Sequence, residues 1–157
     1  MSFDPGIVGS LGTLAFIGTT ATNAETDTYI IINYIRDISP YGRNYSIVNF
    51  TNLSDGAVQK FKGEFNDGDI KITVGWDIAD PGQLAFSNAV NYTGPLYYNL
   101  KVVNDDASGI SGSEGTTDYM KVRATQFTKN INNTQQVILG EMTASIKSGS
   151  IISIPAT

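Results

Sequence analysis

Three pairs of neighbouring aspartates, Asp67/Asp69, Asp77/Asp80 and Asp105/Asp106, carry most of the chemistry this sequence has to offer. Two carboxylates set close together are the minimal apparatus for glycosidase-type acid–base work. Other catalytic routes are missing. There is no Cys, so thiolate nucleophiles, disulfides and Cys metal sites are excluded. There is no His, which removes the commonest general base and transition-metal ligand. Each aspartate pair also has a plainer reading. Asp67 and Asp69 flank Gly68 in a turn, Asp80 suits a helix cap with Asp77 supporting it, and Asp105 and Asp106 open a Gly/Ser-rich loop. Asn66-Asp67-Gly68-Asp69 and Asn104-Asp105-Asp106 resemble Ca²⁺ loops only in being acidic, since EF-hand spacing and its terminal Glu are absent. Gly6, Gly9 and Gly12 lack the Lys and the second half of a phosphate-binding loop. The Asn-x-Ser/Thr sequons at Asn44, Asn49, Asn52, Asn91 and Asn132 read as chance in a Thr/Asn-rich chain. The chain is expected not to be an enzyme and to need no metal or cofactor.

The elements around these residues are mostly strands. Asp69 to Trp76 alternates, with Ile70, Ile72, Val74 and Trp76 on one face and Lys71, Thr73 and Gly75 on the other. Asp80-Pro81-Gly82-Gln83 then opens a helix, with Asp80 as N-cap, Pro81 at the first position and Gln83 completing a capping box. Leu84, Ala85, Asn88, Ala89 and Tyr92 fall on its predicted inner face, and Gly94 ends it. Residues 13–17 form a short strand candidate. Thr28 to Asp37 reads as a strand buried on both faces. Leu96 to Asn104 places Tyr98, Leu100 and Val102 inward, and Tyr97, Asn99 and Lys101 outward. Tyr119 to Thr128 and Gln135 to Lys147 are long enough for full-height strands, and Ile151 to Pro155 fits a short edge strand or a tail.

The pattern predicts one domain over residues 1–157. Its fold class is mainly β, a β-sandwich or partly rolled barrel with one short flanking α-helix. Residues 1–11 read as an arm that orders against a partner, or as a frayed terminus. Residues 39–62 are unusual. Tyr41, Tyr45, Ile47, Val48, Phe50 and Leu53 stand between polar residues after a Ser-Pro-Tyr-Gly turn. Two readings are open: a protruding interface segment, or a hairpin packed on the core with Asp55-Gly56 as its turn.

Charged residues make up 16% of the chain against about 25% in typical domains, which suits a surface hidden in subunit contacts. The net charge of −5 and scattered cations argue against a nucleic-acid binder. An acidic inner surface would instead repel a DNA backbone and let it slide. No basic segment precedes an apolar run at the start, and Tyr29 to Ile35 is too short to cross a bilayer, so a cytosolic protein with no membrane association is expected.

Several short segments then fall in a telling order: Gly12-Thr13-Leu14-Ala15-Phe16-Ile17, Ile35-Arg36-Asp37-Ile38-Ser39-Pro40, Gly63-Glu64-Phe65-Asn66-Asp67-Gly68-Asp69-Ile70, Val74-Gly75-Trp76-Asp77, Asp80-Pro81-Gly82-Gln83 and Tyr97-Tyr98-Asn99-Leu100-Lys101-Val102. In this order and spacing the chain resembles the tail tube (major tail) proteins of long-tailed bacteriophages. The resemblance implies a structural virion protein in which six copies form a ring and rings stack into a hollow tube that passes DNA. It implies that residues 39–62 contact the neighbouring ring, with Tyr41, Tyr45, Ile47, Phe50 and Leu53 as anchors. The arm (Phe3, Ile7, Val8) and the tail (Ile151, Ile152, Ile154) would add subunit contacts. Glu64, Asp67 and Asp69 are candidate lumen acids. Tape-measure, terminator and baseplate proteins would be partners, and the protein would reside in the virion tail after synthesis in the bacterial host cytoplasm. Two other functions stay open: a monomeric carbohydrate-binding β-sandwich, suggested by the tyrosines and the single Trp, and a terminator or baseplate ring protein of the same fold.

Overall fold

The computed structural model describes residues 11–107, 114–131 and 137–157. Its elements are β1 (Leu14–Ile17), β2 (Ile30–Ile32), β3 (Ile35–Ile38), β4 (Asn44–Thr51), β5 (Val58–Asn66), β6 (Asp69–Gly75), α1 (Pro81–Asn91), β7 (Tyr98–Val103), β8 (Thr117–Asn130), β9 (Leu139–Ile146) and β10 (Ile152–Ile154). Eight strands form one antiparallel sheet in the order β2-β1-β7-β8-β9-β6-β3, with β10 added against β8. β4 and β5 form a separate two-stranded ribbon.

The outermost strands of the main path, β2 and β3, are consecutive in the chain and separated only by Asn33 and Tyr34. From Ile32 to Ile35 is three steps of about 3.8 Å, at most about 11 Å, so the sheet must curl until its edges lie close together. Tyr34 makes the corner at φ 64°, a left-handed conformation that costs a non-glycine residue on the order of 1 kcal/mol. Its carbonyl accepts from Gly75 N at 2.8 Å, which ties the corner to the end of β6. The expected single strand over Thr28–Asp37 is therefore two strands on opposite edges. β2 is exposed at Ile30 and buried at Ile32, and β3 exposes Arg36 and Asp37, so the segment is not buried on both faces.

The curled sheet encloses one core. Ala15, Ile17, Ile32, Ile70, Ile72, Val74, Leu100, Val102, Met120, Val122, Met142, Ala144 and Ile146 supply it from the strands. Phe86 and Ala89 supply it from α1, which lies over β1, β2 and β8. The alternation expected for β6 is borne out at Ile70, Ile72 and Val74. β10 forms where the edge strand was expected.

Helix α1 starts as the residues dictate. Asp80 caps it by accepting from Gln83 N, and Pro81 occupies the first turn. The inner face is different from the expected one. Gly82, Gln83, Phe86 and Ala89 are buried, whereas Leu84 is exposed. Gly82 rotates the helix into this setting. A Cβ there would sit on the Ile31 carbonyl, so only glycine lets the first turn lie flat on β2. Gln83 does not reach back to close a capping box. Its Oε1 accepts from Asp77 N at 3.0 Å and its Nε2 donates to the carbonyls of Gly75 (2.9 Å) and Asn33 (3.3 Å). One fully buried amide thus joins the ends of β2 and β6 to the helix. The helix ends at Asn91 with Tyr92 extended, without a glycine cap at Gly94.

Candidate assembly surface

β3 pairs with β6, and β4 pairs with β5. Since β3 runs on into β4 and β5 into β6, the two ladders are one long ribbon bent where it leaves the body. On one side the bend is made by residues 39–43, where Ser39 N still donates to Lys71 O at 2.8 Å. On the other it is the Asp67-Gly68 turn, where Gly68 takes φ 70° and its N–H donates to Asn66 Oδ1 at 2.8 Å.

Beyond the bend the β4–β5 hairpin projects from the body. Every residue of β4 is exposed, and so is every residue of β5 except half-buried Gly63. The turn at the tip includes Asp55-Gly56, with Gly56 at φ 67°. The hairpin is thus formed, with the expected turn, but it is not packed on the core. Cross-strand register sorts its side chains. One face carries Tyr45, Ile47, Asn49 and Thr51 opposite Phe65, Lys62, Lys60 and Val58. The other carries Val48 opposite Phe61 and Phe50 opposite Gln59. Phe50 and Ile47 are each 59% exposed and Leu53, at the tip, is 100% exposed. Cations on this ribbon rest on rings: Lys62 Nζ lies 4.8 Å from the Tyr45 centroid and Arg43 Cζ 4.4 Å from that of Phe65.

The remaining candidate residues are distributed unevenly. Tyr41 is half-buried against the core, and its hydroxyl donates to Asp118. Burial, then that hydrogen bond, raises its pKa well above the usual tyrosine value. Its ring is thus committed within the chain and does not stand on the hairpin. Ile151 also packs on the core, while Ile152 is exposed. Phe3 and Ile7 lie outside the described residues. Among the candidate lumen acids, Glu64 and Asp69 are exposed, but Asp67 is only 1% exposed. Its carboxylate is turned inward to accept from Gly149 N at 2.7 Å and Arg43 Nε at 3.4 Å.

Four of the six paired aspartates, Asp67, Asp77, Asp80 and Asp106, accept hydrogen bonds within the chain. Asp77 Oδ1 accepts from Ala79 N, and Asp80 also accepts from Asn33 Nδ2 at 2.7 Å. The Thr116 hydroxyl and backbone N–H hold Asp106 below the usual carboxylate range. Asn99, expected outward, is fully buried beneath the loop that follows β1. Its Nδ2 donates to Ala21 O and Asp27 Oδ2, and its Oδ1 accepts from Lys121 Nζ at 3.0 Å. Trp76 stacks edge-on against Phe127 at 4.9 Å with Lys129 over it, so its ring is engaged within the chain. Among the described residues no three acidic side chains gather as metal ligands, and no helix is long and apolar enough to cross a membrane.

Known proteins with this arrangement were found by shape and not by sequence. No family model matches the chain, and no curated protein does. The PVC sheath/tube terminator of an extracellular contractile injection system superimposes with a TM-score of 0.68 at 12% identity, covering 94% of this chain and 96% of that one. A chain of the six-fold symmetrised anti-feeding prophage baseplate gives 0.67 at 13% identity, covering 99% and 98%. The SPP1 tail tube gives 0.66 at 9% identity, covering 95% and 81%. The fold is that of tail-tube-type proteins. The tail-tube-type fold spans almost the whole chain, including the projecting hairpin, so the expected β class and resemblance are both borne out at the level of architecture.

Proposed function

We propose that this protein is a structural subunit of a phage-tail or injection-system tube, assembling into hexameric rings that stack into a hollow conduit. A fold hosts many functions, so architecture alone does not carry this reading. The hairpin carries it. A two-stranded ribbon with both faces in water is marginal in stability, and this one exposes Ile47, Val48, Phe50, Leu53, Val58 and Phe61. Monomeric proteins rarely leave large apolar patches uncovered, and here both faces of the ribbon carry exposed apolar side chains. Another subunit is the natural cover, because repeated head-to-tail contact closes rings and also permits stacking. Tyr45, Ile47, Phe50 and Leu53 are the proposed anchors, with Ile152, Phe3 and Ile7 contributing from the termini. Tyr41 supports the bend instead.

The conduit would pass DNA without reading its sequence, and Glu64 and Asp69 would lend it negative charge. Tape-measure, terminator and baseplate proteins would be its partners in the virion tail, and synthesis would take place in the host cytoplasm. A second reading has specific support: a terminator and a baseplate protein share the fold, so a single capping ring is the alternative.

Negative-stain electron microscopy of concentrated protein separates these. Uniform hollow tubes support the tube subunit. Closed rings that never stack support the terminator. Single particles that persist at high concentration overturn both.

A further inference from the structure

We infer that Asp67 is the positioning residue that locks the angle of the β4–β5 hairpin against the body. The hairpin shares no strand ladder with the main sheet. Between them lies an open cleft of about 530 Å³, lined by Asn44, Tyr45, Ser46, Glu64, Phe65 and Ser148, among others. The arm nears the body at its base, where Phe65 lies beside Gly149, so its direction is decided at the bend.

At the bend Asp67 joins three segments. Its carboxylate accepts from Gly149 N at 2.7 Å, in the turn between β9 and β10. The same carboxylate accepts from Arg43 Nε at 3.4 Å, on the opposite chain of the ribbon. Its own N–H donates to Ser148 Oγ at 3.4 Å. Arg43 is in turn stacked on Phe65, the residue of β5 that pairs with Tyr45. Gly149 takes φ 83°, a left-handed turn that favours glycine, and the Phe65 ring lies beside it. A carboxylate that is 1% exposed is held by these donors, and it holds them. Removing it takes the Gly149 bond from the β5 side of the bend and the Arg43 cross-link from the β4 side, leaving the turn tied to the body by Ile146 N to Gly68 O at 2.9 Å. On the β4 side the Tyr41–Asp118 contact and the bond from Ser39 N to Lys71 O remain.

The chain has no Cys, so two can be introduced for spin labels: Ser54→Cys at the hairpin tip and Asn88→Cys on the exposed side of α1. Double electron–electron resonance on the dilute full-length protein should give one narrow distance peak. Asp67→Ala should lose that peak to a broad distribution. Asp69→Asn, which removes an exposed charge two residues away, should keep it. An unchanged narrow peak in Asp67→Ala overturns the inference. If Asp67→Ala does not fold, Asp67→Asn decides, since it keeps the volume and one acceptor while ending the ion pair. Partial broadening is then expected, and none overturns the inference.

The consequence for assembly rests on the proposed interface. A loosened arm must be ordered at each docking event, so Asp67→Ala should raise the critical concentration for polymerisation. Broadening with unaltered polymerisation would leave the lock standing and sink the hairpin's role in assembly.

Discussion

Truncating Phe50 to alanine tests whether the hairpin is the adhesive element. Phe50 is 59% exposed, and a phenylalanine offers about 200 Å² in all, so about 120 Å² is left for a neighbour to cover, worth about 3 kcal/mol at roughly 25 cal/mol per Å². Alanine keeps its methyl group, so the loss per contact is roughly 2 kcal/mol. At about 1.4 kcal/mol per tenfold, the critical concentration for polymerisation should rise about 30-fold. Phe50→Asp should go further, since an unpaired carboxylate would then have to be desolvated in the contact. The assay is pelleting of assembled material across a dilution series, with tube length scored by microscopy. Folding supplies the control. The ring already stands in water in the monomer, so the monomer's thermal stability should move by less than about 0.5 kcal/mol. A critical concentration within about twofold of wild type, with the monomer intact, would refute the assignment of Phe50 as an anchor.

Gln83→Met keeps the volume of the buried amide and removes its hydrogen bonds, leaving Asp77 N and the Gly75 and Asn33 carbonyls without that partner. At about 1–3 kcal/mol per abandoned buried group, discounted because Gly75, Asn33 and Asp77 are half-buried, the expected loss is roughly 2–4 kcal/mol. Urea unfolding followed by Trp76 fluorescence reads it, and a loss under about 1 kcal/mol would show that water replaces the amide. Asp27 supplies an acid-side prediction. Burial pushes its carboxyl up, but hydrogen bonds from Thr19, Asn99 and Thr28 together outweigh that and leave it below the ordinary value of 3.8. A depressed carboxyl stabilises the fold fully above its unfolded value and loses that contribution as the pH falls through the lower folded value. Asp27→Asn should therefore be less stable than wild type at neutral pH, and the gap should close below pH 3.8. A gap that is constant from neutral pH into acid would contradict the hydrogen-bonded carboxylate.

Local chemistry was legible wherever a segment's own residues decide its state. The alternation of Ile70, Ile72 and Val74 marks β6, because period two and one dry face leave no other register. Asp80-Pro81 marks the helix start, because a cap and a preset φ act within one turn. The Asp55-Gly56 turn was legible for the same reason. Tyr41 is a residue whose aromatic type suits an interface and a core equally, and its partial burial and its bond to Asp118 were not legible in the local pattern.

The amino-acid sequence by itself determined a mainly β chain with one capped helix, a hairpin rich in apolar residues, and the absence of thiol and imidazole chemistry. Those properties follow from residue type, spacing and turn geometry over a few positions. The tertiary structure alone decided that β2 and β3 meet as opposite edges of one curled sheet, and that Gly82 sets the buried face of α1 against Ile31. It also decided that Asn99 and Asp67 point inward, Asp67 toward a turn 82 positions away. The physical reason is common to all of these. A polar side chain is buried when distant backbone donors and acceptors are brought to it, and no pattern within its own strand records where those partners will lie.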